Sequence, residues 1–120
     1  MVAEYIRDLF PEQMKQYVYI GELPTDIDNC IAIAEMGGPH GNYFNKDHLD
    51  TPYVKLIIRH ASYPTGAEFA EFCKATLASY AETLPFGLVL INDIMYFGRD
   101  DERRNMWQLT FKVFSYYSNK

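Results

Sequence analysis

The spacing of apolar residues changes several times along the chain, and each change marks an element. Val2, Tyr5, Ile6, Leu9 and Phe10 fall at i, i+3, i+4, i+7 and i+8, the stripe of a short amphipathic helix. Pro11 then bars simple continuation, because it has no N–H to give. Residues 17–20 are β-prone and closed by Gly21, and GELPTD with Pro24 reads as a turn into a second strand over residues 29–35. In that strand Ile31 and Ile33 share one side, and Cys30, Ala32 and Ala34 the other. With both sides apolar, a central position in a sheet is expected.

Residues 36–51 carry Gly37, Gly38, Pro39, Gly41 and two Asn with no period of 2 or 3.6, which predicts a long loop. Pro52 opens a third strand, PYVKLIIRH, whose Val54, Leu56 and Ile58 point toward a core while Lys55 and Arg59 point toward solvent or a partner. The clearest helix follows. Thr65 and Glu68 match a capping box, ahead of a stripe of Phe69, Phe72, Cys73, Leu77, Tyr80 and Leu84. A strand pair over residues 88–97 and 105–117 completes the chain around the tip GRDDERR; in the second strand Trp107, Leu109, Phe111 and Val113 alternate with Gln108, Thr110 and Lys112. The order helix, three strands, helix, two strands predicts an α+β fold. A single small domain over residues 1–120 is expected, with a mixed, mainly antiparallel sheet of about five strands and two helices packed on it.

At 120 residues the chain can bury roughly two-thirds of its unfolded surface around one core. A composition of 48% hydrophobic and 22% charged residues is that of a globular chain, far from the disordered class. The 10 Tyr and 8 Phe point toward contact surfaces, where an amphipathic ring is favoured. A net charge of −5 argues against a nucleic-acid binder, which depends on clustered Lys and Arg to neutralise phosphates. The first ten residues include acids and no long apolar run, so neither a signal peptide nor a transit peptide is expected, nor any membrane association. Cys30 and Cys73 are expected as buried free thiols rather than a disulfide.

Residue types that carry chemistry are present without the company that chemistry needs. The GGPHG run lacks the Lys-Ser/Thr of a phosphate loop and opens no helix. His48 between Asp47 and Asp50 has no second ligand pair. His60 is expected either in the core, hydrogen-bonded, or at the strand edge. No spacing pairs Cys30 or Cys73 with His40, His48 or His60 as nucleophile and base. The pairs Asp26/Asp28 and Asp100/Asp101 sit where turns favour Asp. No catalytic, cofactor-binding or metal-binding residue is therefore expected. Candidate interface residues are Tyr43, Phe44 and Leu49 in the long loop, Arg59, and Arg99, Asp100, Arg103 and Arg104 at the tip, which is otherwise a solvated hairpin end. The loop is expected to be mobile in the free subunit and to order its aromatic residues on assembly.

The segments GELP, DNCIAIAEMGG, PYVKLIIRH and INDIMYFGRDDERR, in this order and spread over nearly the whole chain, resemble the minor capsid and tail terminator proteins of tailed bacteriophages. The resemblance implies a structural subunit without catalytic residues, cofactor or metal. Such a subunit forms a ring, expected to be hexameric, on the head-proximal end of the tail tube, stops tube growth and joins the head. The implied partners are further copies of itself, the major tail tube protein and head–tail connector proteins; DNA passes through without being tightly bound. The free subunit is expected to be monomeric, and the protein to reside in the virion after assembly in the host cytoplasm. The alternatives are a head completion or neck protein, or, in a different class, a small α+β enzyme or ligand-binding domain.

Overall fold

The structure is a computed structural model that describes residues 2–36 and 53–115. Helix α1 (Val2–Asp8) is followed after Pro11 by a single further turn, α2 (Glu12–Lys15). Strands β1 (Val18–Ile20), β2 (Cys30–Met36) and β3 (Tyr53–His60) precede the long helix α3 (Tyr63–Tyr80), and β4 (Phe86–Arg99) and β5 (Asn105–Ser115) end the described chain. They form one five-stranded sheet in the order β1-β2-β3-β5-β4. Only the β1–β2 pair is parallel. The domain is the expected α+β fold, and β2 lies inside the sheet as its two apolar sides predict.

Period-two alternation decides what is buried. Ile31 and Ile33, Val54, Leu56 and Ile58, and Trp107, Leu109, Phe111 and Val113 all point to one side of the sheet and are buried there. The helices close that side with Ala3, Ile6, Phe10, Ala70, Cys73 and Leu77. The buried line along α3 is Gly66, Ala70, Cys73, Thr76 and Leu77. Phe72 and Tyr80, expected in this line, are instead 37% and 51% exposed. The physical reason is distance. Small side chains let the helix axis approach the sheet, and the large rings are turned to its flanks, where Phe72 meets Phe10 with ring centroids 6.1 Å apart.

Trp107 sets the closest point of that approach. Its ring lies against Gly66 and between Tyr63 and Tyr96, at centroid distances of 5.4 and 5.3 Å. It therefore packs on the first turn of α3. The helix start also differs from the capping box. Ser62 is the N-cap and its side chain accepts the Thr65 N–H, with Pro64 in the first turn. Glu35 of β2 accepts the Ala3 N–H at 2.9 Å, tying an otherwise orphaned donor of α1 to the sheet.

His60 is buried, as one of the two expectations for it holds. Its Nδ1 accepts the Ser62 N–H at 2.9 Å and its ring meets Phe69 edge-on at 4.9 Å. Burial pushes its pKa below the ordinary imidazole value. Both cysteines are free and buried, and burial raises both thiol pKa values, with Arg59 and Arg104 partly offsetting it at Cys30. No described helix is long and apolar enough to cross a membrane.

Gly66→Ala should cost about 1–3 kcal/mol in urea unfolding, the usual cost of overpacking, because an added Cβ would collide with the Trp107 ring and with His60 Cβ. Wild-type stability in that variant would show that Trp107 can move away. Stability should also fall as pH drops below about 6.5, because the unfolded chain binds a proton at His60 that the native chain resists; above that pH the contribution is complete. His60→Gln should flatten this part of the profile, and an unchanged slope would remove His60 as its source.

Candidate functional site

The parallel β1–β2 pair is joined by residues 21–29, which is short for a crossover; parallel neighbours normally need about a dozen residues or more, usually in a helix. Gly21, at φ 107°, turns the chain out of β1 while its N–H still reaches the Ile33 carbonyl. The segment beyond forms no described helix or strand and leaves carbonyls to be satisfied. Two arginines satisfy them. Arg59 of β3 donates to the carbonyls of Pro24 and Ile27. Arg104, just before β5, donates to those of Thr25 and Ile27 at 2.9 and 3.5 Å.

Arg104 also ties the tip of the β4–β5 hairpin to this clamp. Its Nε donates to the Asp100 carboxylate at 2.9 Å, and Asp28 and Glu102 lie at 3.5 and 3.8 Å from its Nη1. Asp100 in turn accepts the N–H groups of Glu102 and Arg104, both at 2.9 Å. Burial works against the Asp100 carboxylate, but these N–H groups and the guanidinium outweigh it and hold its pKa below the usual value. The reverse turn places Arg103 at φ 65°, the left-handed residue that closes a three-residue hairpin loop. Of the candidate interface residues, Arg59 and Arg104 are thus buried, at 5% and 7% exposure, with guanidiniums turned inward, and Asp100 faces Arg104. Arg59 Nε has no partner among the described residues, so Arg104 is the more fully satisfied of the two. Arg99 and Arg103 are exposed. Tyr43, Phe44 and Leu49, with His40 and His48, lie outside the described residues.

The surfaces free to meet another molecule are elsewhere. Strand β4 forms an edge of the sheet, and Val89, Ile91, Met95, Tyr96 and Phe97 on it are 41–56% exposed. Edge strands are usually blunted by Lys or Pro. Here Asp93 is the single charge between Phe86 and Gly98, and it is paired with Lys74 of α3 at 3.0 Å. Three irregularities in the β4–β5 register twist the strand without making it polar. Beside it, on the side of the sheet away from the helices, lie Tyr53, Lys55, Ile57, Gln108, Thr110 and Lys112, a surface with two cations and no carboxylate among the described residues. Sequence reading passed over this edge, although LVLINDIMYF is apolar on both sides for most of its length. Such a run marks either a central strand or an edge that a partner covers.

A second apolar surface is concave. Leu9 and Pro11, at the corner after α1, and Phe72, Ala75, Thr76, Ser79 and Tyr80 of α3 line an open cleft. It lies on the flank of α3 turned to α1, whereas Lys74 reaches toward β4. Acids predominate on the helical layer, where Glu68, Glu71 and Glu82 are exposed and Arg7 and Lys15 already face Asp8 and Glu12. Among the described residues no group of three or more His, Cys, Asp or Glu is placed to hold a metal ion.

Arg104→Ala should lower the midpoint of urea unfolding, since Asp100 and the loop carbonyls lose their charged hydrogen-bond partner. It should also open residues 24–28 to limited proteolysis. A resistant loop in a destabilised variant would mean that Arg59 alone holds it.

No curated protein matches the chain. The family model described as bacteriophage tail terminator protein matches residues 3–117, a span that takes in both arginines of the clamp, the hairpin tip and the apolar edge. The chain belongs to this family of bacteriophage tail terminator proteins.

Proposed function

We propose that the chain caps the head-proximal end of a phage tail tube as a hexameric ring, ends tube growth and offers the surface to which the head is joined. The observation that carries this reading is the β4 edge: a long, nearly uncharged strand with exposed Val89, Ile91, Met95, Tyr96 and Phe97. On a monomer such an edge invites aggregation, and in an assembled subunit it is buried. A tail terminator is a structural component of the phage tail, so its work is done by contacts with other tail and head proteins. Partners of this chain are then its own copies, the tube protein below and the connector above. It acts in the virion after assembly in the host cytoplasm, by contact rather than by turnover.

At −5 per chain, a ring of copies repels DNA over a Debye length of about 8–10 Å and does not retain it during passage.

Tails assembled without this protein should be over-long and headless in electron micrographs, and adding it back should restore one length and head joining. Tails of normal length that merely fail to join heads would instead identify a neck protein. The isolated chain should bind duplex DNA only weakly at physiological salt; tight, salt-sensitive binding would contradict the passage of DNA without retention.

A further inference from the structure

We infer that copies of this chain assemble head to tail, the β4 edge and adjoining cationic sheet surface of one seated on the acidic helical layer of the next, with apolar side chains entering the cleft between α1 and α3. The inference rests on the ring reading above and names the two surfaces that would make it.

Three observations converge on a second copy as the occupant. The chain carries two separate apolar surfaces of opposite shape. The β4 stripe of Val89, Ile91, Met95 and Phe97 stands out from the sheet edge, whereas the cleft at Phe72, Ala75 and Tyr80 is recessed. They lie apart, on opposite flanks of α3, so one copy cannot bring its own two surfaces together. Their charges are complementary. Lys112 is the register partner of Val89 and Lys55 lies opposite Thr110, and neither lysine forms an ion pair among the described residues. On the elements that line the cleft the exposed acids are Glu68 and Glu71 of α3, with Glu82 just beyond it, and Asp8 and Glu12 beside Leu9 and Pro11, the last two facing Arg7 and Lys15.

Charge also disfavours a symmetric dimer through β4. A two-fold axis there would bring Lys55 and Lys112 toward their own copies with no carboxylate among the described residues of that surface between them. A contact between two different surfaces leaves one of each free at the ends, so it adds copies until the rotation closes a ring.

The test uses sedimentation velocity on the whole chain, with one variant for each surface. Met95→Asp places a charge in the stripe, and Phe97→Asp serves as its independent duplicate, since both positions are 56% exposed and tolerate change. Ala75→Arg, at an exposed helix position, fills the cleft. Wild type, monomeric when dilute, should form species larger than a dimer as concentration rises toward about 1 mM, less so at high salt. Each variant alone should stay monomeric while melting as wild type does. An equimolar mixture of the two kinds should give a dimer and nothing larger, because each copy retains one working surface. Dimers of Ala75→Arg alone would show β4 pairing with itself and overturn the proposal. So would undiminished assembly of either variant, or a wild type that remains monomeric throughout. Each of these results leaves the tail-length measurement free to stand or fall separately.

Discussion

The short parallel connection between β1 and β2 is the constraint on which much of this structure depends. A crossover of this kind is normally long enough to form a helix that satisfies its own backbone. Residues 21–29 are too few, so their carbonyls turn inward and need donors from outside. Arg59 and Arg104 supply donors in a planar array that a lysine could not reproduce. Because Arg59 lies near the end of β3 and Arg104 precedes β5, closing this loop also aligns these two paired strands at that end of the sheet. Asp100 extends the same network into the hairpin tip. The N-terminal edge, the sheet centre and the tip of the outermost hairpin are thereby joined by one set of charged hydrogen bonds.

A second constraint operates where α3 crosses the sheet. Trp107 occupies the space that a side chain at residue 66 would fill, so the helix accepts a glycine near its start. Asn105 fastens the same corner: its side chain donates to the carbonyls of His60 and Ala61 and accepts the Tyr96 hydroxyl at 2.7 Å. Rigidity at that corner has a consequence for assembly. It fixes β4 and α3 relative to each other, and hence the angle between the apolar edge and the cleft. In a head-to-tail assembly that angle decides whether successive copies close into a ring or run on as a filament.

With all described helices on one side of the sheet, the domain has an internal layer and an outer one with different charge. The helical layer exposes Glu68, Glu71 and Glu82, while among the described residues the opposite sheet surface beside β4 carries two lysines and no acid. A net charge of −5 conceals this separation. A tail terminator meets other phage tail and head proteins, and a polarised domain gives each neighbour a preferred orientation before close packing begins.

Much of this was determined by the sequence alone. Alternation in residues 105–113 and 53–60 set which side of each strand is buried, because side chains alternate sides whatever the strand pairs with. The α+β class, the presence of α3 and the burial of both cysteines follow from periodicity and composition in the same local way. What only the tertiary structure decided are matters of neighbourhood. Arg59 alternates with core residues in β3 and so reads as solvent-facing, yet it is buried because a loop distant in sequence folds over it. Phe72 and Tyr80 share a helical stripe with Cys73 and Leu77, yet with α3 held close to the sheet at Gly66 the large rings are turned to its flanks. The β4 run is apolar on both sides, and nothing within it states whether a strand of this chain or another molecule covers its outer edge. Period reports how a residue is oriented on its own element; only packing determines what lies opposite it.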